Sequence, residues 1–185
     1  MGKFRKGNLV SIVHRGRRFH LSSAVAPPQS SGIAMLHVVL VEPEIPPNTG
    51  NIGRLCLAAE AHLHLIKPLG FSLADKALRR AGLDYWQEVK VTLWDSFDEL
   101  HAANSRARFW FLTTKTKRPY WDVQFADGDF LVFGRETKGL PGPLLAAHVD
   151  RTLTIPMSPN ARSLNLATAA GIVLYEAIRQ LGLRQ

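Results

Sequence analysis

The sequence predicts an α/β domain, a mostly parallel sheet flanked by helices. Three observations lead there. From Met35 onward, short apolar runs alternate with stretches of helical period. Two of the runs, Arg108 to Thr113 and Asp129 to Phe133, are nearly continuous in apolar character, as central strands covered on both faces must be. Of the 185 residues, 46% are hydrophobic and 21% charged, enough for one sizeable core, and no stretch approaches the roughly 20 apolar residues of a membrane helix.

Taken in order, Leu36 to Val41 reads as the first strand, and Thr49 to Ala61 as a helix opened by Asn48 or Thr49 as cap. His62 to Ile66 is the second strand, Leu73 to Arg80 a helix and Val89 to Leu93 a strand. Ser96 to Ala103 follows as a helix with Asp95 as N-cap. After the two central strands comes the clearest helix. Leu164, Ala167, Gly171, Leu174, Ile178 and Leu181 form one stripe, with Ile172, Val173 and Tyr175 off it. Burial on two sides means either a central helix or a subunit interface.

Residues 1–34 differ from the rest. They carry Lys3, Arg5, Lys6, Arg15, Arg17 and Arg18 without an acid, which supplies +6 of the formal +8 and leaves +2 for the remainder. With Ser22, Ser23, Pro27, Pro28, Ser30, Ser31 and Gly32 they read as a basic, disordered leader ahead of a domain over 35–185. A transit peptide has this composition, and so has a chain whose true start is Met35. The first implies an organelle, the second the cytoplasm. The single cysteine, Cys56, excludes an internal disulfide and a cysteine-based metal cluster. It falls within an apolar helix and reads as a small core residue. His62 and His64 share a strand face, but the sequence offers no third ligand at metal spacing. No metal is expected.

Three loops carry the chemistry. Asn48-Thr-Gly-Asn-Ile-Gly-Arg54 follows the first strand and opens a helix, where α/β proteins bind ligands, but it matches neither the dinucleotide fingerprint nor a P-loop. Phe133 to Pro141, FGRETKGLP, leaves a central strand through Gly134 and Gly139, holds Glu136 inside the bend and ends at a proline. Ile155 to Asn165 fixes an extended path with two prolines before Arg162 or Ser163 begins the last helix. Ser163 and Asn165 at that start are either caps or ligand contacts.

In the order N-x-G-x-x-x-R, G-x-E-x-x-G-L, then I-P-M followed by S-L-N, these loops resemble the SPOUT-class RNA 2′-O-ribose methyltransferases. VEPEIPPNTGNIGR, RRAGLDYW (Arg79 to Trp86) and LTTK (Leu112 to Lys115) are similar to the TrmL or YibK type, which acts on the tRNA wobble nucleotide. The resemblance covers about Met35 to Leu183. It implies a C-terminal trefoil knot, a homodimer, S-adenosyl-L-methionine as cofactor and the tRNA anticodon stem-loop as partner. By the same resemblance Leu112, Gly134, Ile155 and Ser163 contact the donor and Glu136 lies close by. Arg54 activates the hydroxyl, and Asn48, Ser163 and Asn165 hold the ribose or the donor.

Methyl transfer to a ribose hydroxyl is an in-line displacement, so positioning supplies much of the rate and no metal is needed. A guanidinium does not ordinarily accept a proton. Arg54 is therefore expected to hold a phosphate or a developing alkoxide while water takes the proton. Arg162, Arg79 and Arg80 are candidates for the RNA backbone. A catalytically idle RNA-binding or assembly factor on the same fold is the alternative, and the intact Glu136, Ser163 and Asn165 argue against it.

Overall fold

A computed structural model describes residues 35–72, 86 and 88–182. The leader, the helix expected over Leu73 to Arg80, and Arg79 and Arg80 themselves lie outside the described residues. Strands β1 (His37–Val41), β2 (His62–Ile66), β3 (Val91–Trp94), β4 (Phe109–Leu112), β5 (Phe130–Phe133) and β6 (Thr152–Leu153) form one sheet. Their order is β3-β2-β1-β5-β4-β6, and every neighbouring pair is parallel. The chain winds outward from β1 to β3, then crosses back to build β4, β5 and β6 on the other side. That reversal opens a crevice at the carboxyl ends of β1, β5 and β4, the usual ligand position in such sheets.

Both sheet faces are covered, as the unbroken apolar runs require. On one, Val38, Leu40, Leu63, Leu65, Leu131 and Phe133 pack against α1 (Pro46–Ala58) and α4 (Leu166–Leu181). On the other, Val39, Val41, Phe109, Phe111 and Val132 meet Phe97 and Leu100 of α2 (Phe97–Ala103) and Leu145 of α3 (Gly142–Ala147). Side chains such as Ile52, Leu65 and Leu174 are fully buried, and each contributes about 1.5–3 kcal/mol. Among the described residues no helix is long and apolar enough to cross a membrane.

Helix boundaries move from expectation for identifiable reasons. α1 begins at Pro46, not at Thr49, because two prolines fit the first turn, where a missing N–H is harmless and a fixed φ is already helical. Asn48 is thereby an internal residue with its side chain released from capping. α2 is capped by Ser96, not Asp95: Ser96 Oγ accepts from Glu99 N at 3.1 Å, and Glu99 Oε2 accepts from Asp95 N at 2.9 Å.

The expected stripe on α4 is rotated. Ala170, Val173, Leu174 and Ala177 are the fully buried positions, whereas Leu164 and Tyr175 are exposed and Ala167, Gly171 and Ile178 are half-buried. A helix apolar on most of its circumference has no unique inward face in sequence; the small Ala170 and Ala177 let this one approach the sheet.

One buried acid organises the amino-terminal end of β5. Asp129, 1% exposed, accepts from Arg108 Nε and Nη2, both at 2.7 Å, from Trp110 Nε1 at 3.0 Å and from Ala126 N at 2.9 Å. Four donors meet one carboxylate, which makes it a joint between β4 and β5.

Candidate functional site

A cavity of about 630 Å³ occupies the crevice, walled by the segments that leave β1, β4, β5 and β6. Its size lies within the roughly 300–1,000 Å³ usual for small-ligand sites. Leu112 and Thr113 to Lys115 contribute from the end of β4, Phe133 to Leu140 from the end of β5, and Thr154, Ile155, Met157 and Arg162 to Leu166 from the segment into α4. Ile45 and Asn48 close it from the start of α1.

The β5 exit is compact because Gly134 has no side chain. A Cβ there would stand 2.1 Å from Gly139 C and 2.2 Å from Leu140 N, closer than any real contact. The loop closes on itself through Gly139 N to Arg135 O, 2.9 Å, with Gly139 at φ +65°. This fold-back leaves Glu136 in the bend. Its carboxylate accepts from Glu44 N at 2.9 Å, Ile45 N at 3.3 Å and Asn48 Nδ2 at 3.0 Å. In return Glu44 accepts from Thr137 N at 3.1 Å and from the Thr137 hydroxyl, and Arg135 pairs with Glu42.

The third segment joins the same chain of bonds. Asn165 caps α4 by accepting from Ala167 N and Thr168 N, at 2.9 and 3.2 Å, and its Nδ2 donates to Asn48 Oδ1 at 2.9 Å. The helix thus starts after Asn165, later than the expected start at Arg162 or Ser163, and both of those residues remain on the cavity wall. A continuous ladder runs from Glu136 through Asn48 and Asn165 to the amino end of α4.

The structure therefore brings Asn48, Leu112, Gly134, Glu136, Ile155, Ser163 and Asn165 to one cavity. Arg54 is not among the wall residues; it is exposed on α1. Six helical residues after Asn48 it points about 240° around the axis from it. Wall residues that motif reading did not single out as contacts include Thr113, Thr114, Lys115, Met157 and Ala169. LTTK carried the signal for the first three. Arg135 is matched by Glu42, and the remaining wall cations Lys115, Lys138 and Arg162 outnumber the one wall acid, Glu136, which suits an anionic partner at the mouth.

A second polar cluster lies on the sheet face covered by α2, at the opposite end of the strands. Parallel pairing sets His37 beside His62 and Val39 beside His64, so strand register supplies the third histidine that spacing alone could not reveal. The three rings bring ligand-type nitrogens within 4.8 Å of one another. Those nitrogens are engaged. Trp94 Nε1 donates to His64 Nδ1 at 3.0 Å, and an indole N–H can only donate, so His64 carries its proton on Nε2 and gives it to His37 Nδ1, 3.0 Å away. His62 Nε2 lies 2.9 Å from Thr92 Oγ1.

Burial first, and the neighbouring His62 second, lower His37 to about 4, against the opposing pull of Asp127. Burial, then His62 and His37, lower His64 to about 3, and His62 is itself lowered by burial and Lys90. Unfolded histidines take up protons below about 6.5, so between that value and the folded ones the unfolded chain binds more protons and stability falls with pH. Urea midpoints should decline from about pH 7 to about pH 5, and His37→Asn should flatten the decline. A midpoint that ignores pH across this window would show that the trio titrates alike in both states. Cys56 is unreactive by the same physics: burial pushes its thiol up to about 12.

A parallel doubly wound sheet with a loop-built pocket at its switch point is shared by many enzymes, and comparison narrows the class. Residues 35–175 match the model of the SpoU rRNA Methylase family, and the chain belongs to that family. Over 152 residues it is 53% identical to the tRNA (cytidine(34)-2'-O)-methyltransferase of Saccharophagus degradans, covering 80% of this chain and 97% of that one. A solved structure concerned with the 2-OH methylation of C/U34 on tRNA superposes with a TM-score of 0.77 at 47% identity, over 80% of this chain and 97% of the other. The AdoMet-bound rRNA methyltransferase of Sinorhizobium meliloti gives 0.71 at 26% identity, over 80% of this chain and 57% of its own.

Proposed function

We propose that this chain methylates the ribose 2′-oxygen of the wobble nucleotide, cytidine or modified uridine at position 34 of tRNA, using S-adenosylmethionine. The observation that carries this reading is the meeting of three sequence-distant loops at one open-mouthed cavity. That cavity also favours an enzyme over an idle RNA binder. Incubating the protein with labelled donor and total tRNA, then mapping the labelled nucleotide, tests it. Label at any nucleotide other than 34, or none, overturns it.

The residues present fit the donor. A backbone made approachable by Gly134, apolar walls from Leu112, Leu140 and Ile155, and polar groups from Ser163 and Glu136 match an adenosine joined to an amino acid. S-adenosylmethionine supplies an electrophilic methyl group on a sulfonium. Leu112, Gly134, Ile155 and Ser163 hold the donor, with Glu136 keeping the β5 loop in its bend. Asn48 and Asn165 fix the loops to one another and, with Ser163, hold the ribose or the donor. The loops after β4, β5 and β6 together make the trefoil knot of this reading.

Arg54 faces away from its own chain's cavity, so in this reading it acts in the site of a second copy, with α4 at the dimer contact. The half-buried and exposed apolar residues of α4, Tyr175 among them, support that contact. The guanidinium holds a phosphate and stabilises charge on the 2′-oxygen while water removes the proton. Arg54→Ala is expected to cost at least about 100-fold in methyl transfer, with donor affinity by calorimetry retained. Loss of both would make Arg54 structural.

The enzyme is cytoplasmic in this reading, or organellar if residues 1–34 are a transit peptide.

A further inference from the structure

Beside the cavity the chain builds a surface that donor binding does not use. Lys115 is on the cavity wall, and the chain continues through Lys117 and Arg118 to the 3-10 turn Tyr120–Asp122. This stretch is held against the cavity wall: Thr154 N donates to Arg118 O at 2.8 Å and Tyr120 N donates to Thr154 O at 2.9 Å, one residue before Ile155 of the wall. Trp121 follows directly, and it is 50% exposed with its ring steeply inclined to that of Tyr120, 5.0 Å between centroids.

Positive charge is fixed here. Arg108, Arg118 and Arg151 approach the buried Trp110 ring at 5.7, 5.7 and 5.1 Å. Asp129 matches the first of them. Arg118 is anchored by Nη1 donating to Asp150 O at 2.9 Å, and Arg151 is 3.6 Å from the exposed carboxylate of Asp150, a weak pair. Lys115, Lys117, Arg118 and Arg151 thus stand against Asp122 and Asp150, an excess of two positive charges on one edge. Stacking and backbone anchors restrict two of these cations, so less entropy is lost when they grip a phosphate.

Ordered cations beside an open indole face are what a single-stranded nucleic acid recognises: phosphates meet the cations and an unstacked base lies on the ring. We propose that Lys115 to Trp121, with Arg151, is the edge on which the RNA docks, with an unpaired nucleotide next to the target stacked on Trp121. This rests on the RNA methyltransferase reading, and it names the surface that delivers the substrate to that site.

The test uses the full chain, an anticodon stem-loop transcript and the same helix closed into an uninterrupted duplex. RNA affinity is measured by fluorescence anisotropy beside methylation. Trp121→Ala should weaken stem-loop binding and raise its KM by about tenfold, the lower range of base–aromatic stacking, while the duplex, lacking an open base, binds both chains alike. Trp121→Phe should recover most of the loss. Lys117→Ala should reduce the slope of log affinity against log salt by about 0.7. Donor affinity should stay the same in all three.

Equal stem-loop affinity of the unaltered and Trp121→Ala chains overturns the docking edge. So does a change of oligomeric state in Trp121→Ala on sedimentation, which would make Trp121 a contact between copies. If the unaltered chain binds the stem-loop through Trp121 but transfers no methyl group, the docking edge holds and the catalytic reading falls.

Discussion

Gly134→Ala should lower methyl transfer by roughly 100-fold or more, the scale on which an ångström of misplacement acts at a built site, and weaken S-adenosylmethionine binding with it, while the rest of the fold survives. The new Cβ would meet backbone, Gly139 C at 2.1 Å and its carbonyl oxygen at 2.5 Å, so no rotamer can relieve the clash and the β5 loop must open. Opening moves Arg135 to Leu140 together, and with them the Glu136 carboxylate that Glu44, Ile45 and Asn48 share. Gly139→Ala is the informative contrast. Its Cβ enters open space and only the φ of +65° resists, a cost of about 1–2 kcal/mol. Calorimetric titration of both variants, with a thermal melt as the folding control, checks the ordering. Donor binding by Gly134→Ala within twofold of the unaltered chain would show that the loop does not shape the site.

Asp129→Ala should produce a large loss of stability for a change of a polar residue, about 3 kcal/mol, near the low end for a buried ion pair broken on one side. The change strands three donors at once: the Arg108 guanidinium, the Trp110 indole and the Ala126 amide. Arg108 keeps 39% of its side chain in solvent and can be rehydrated, which holds the loss below the upper limit. The indole N–H, on a ring only 4% exposed, cannot. Because domains of this kind have about 5–15 kcal/mol in all, the urea midpoint should fall sharply with the slope unchanged. A shift under about 0.5 kcal/mol, the usual range for surface changes, would refute the account.

What sequence could and could not disclose follows from how far each signal reaches. Phe109–Leu112 and Phe130–Phe133 lie within the runs expected to be central strands, because a buried parallel strand is apolar on both faces and needs no partner to be recognised. The loops at Gly134 and Ile155 were legible through glycine and proline, which act on the backbone locally. The start of α1 lies ahead of the Asn-Thr cap signal, because a proline pair fits the first helical turn.

Features made by strand order were out of reach. The histidine trio depends on β1 lying beside β2 in one register, and the Arg108 pair on β4 lying beside β5. The buried side of α4 was not readable from a helix apolar nearly all round. Arg54 sits where its motif puts it in the chain, but only the helix shows that it turns away from Asn48.

The ladder from Glu136 through Asn48 to Asn165 also has a kinetic side. Its links close loops of 88 and 117 residues, so the entropy of ordering most of the chain must be met before either bond can form. The binding cleft is accordingly a late product of folding. Fragments lacking either the Asn48 or the Asn165 segment cannot assemble it, however helical or sheet-like they are, and competence to bind reports on completion of the whole domain.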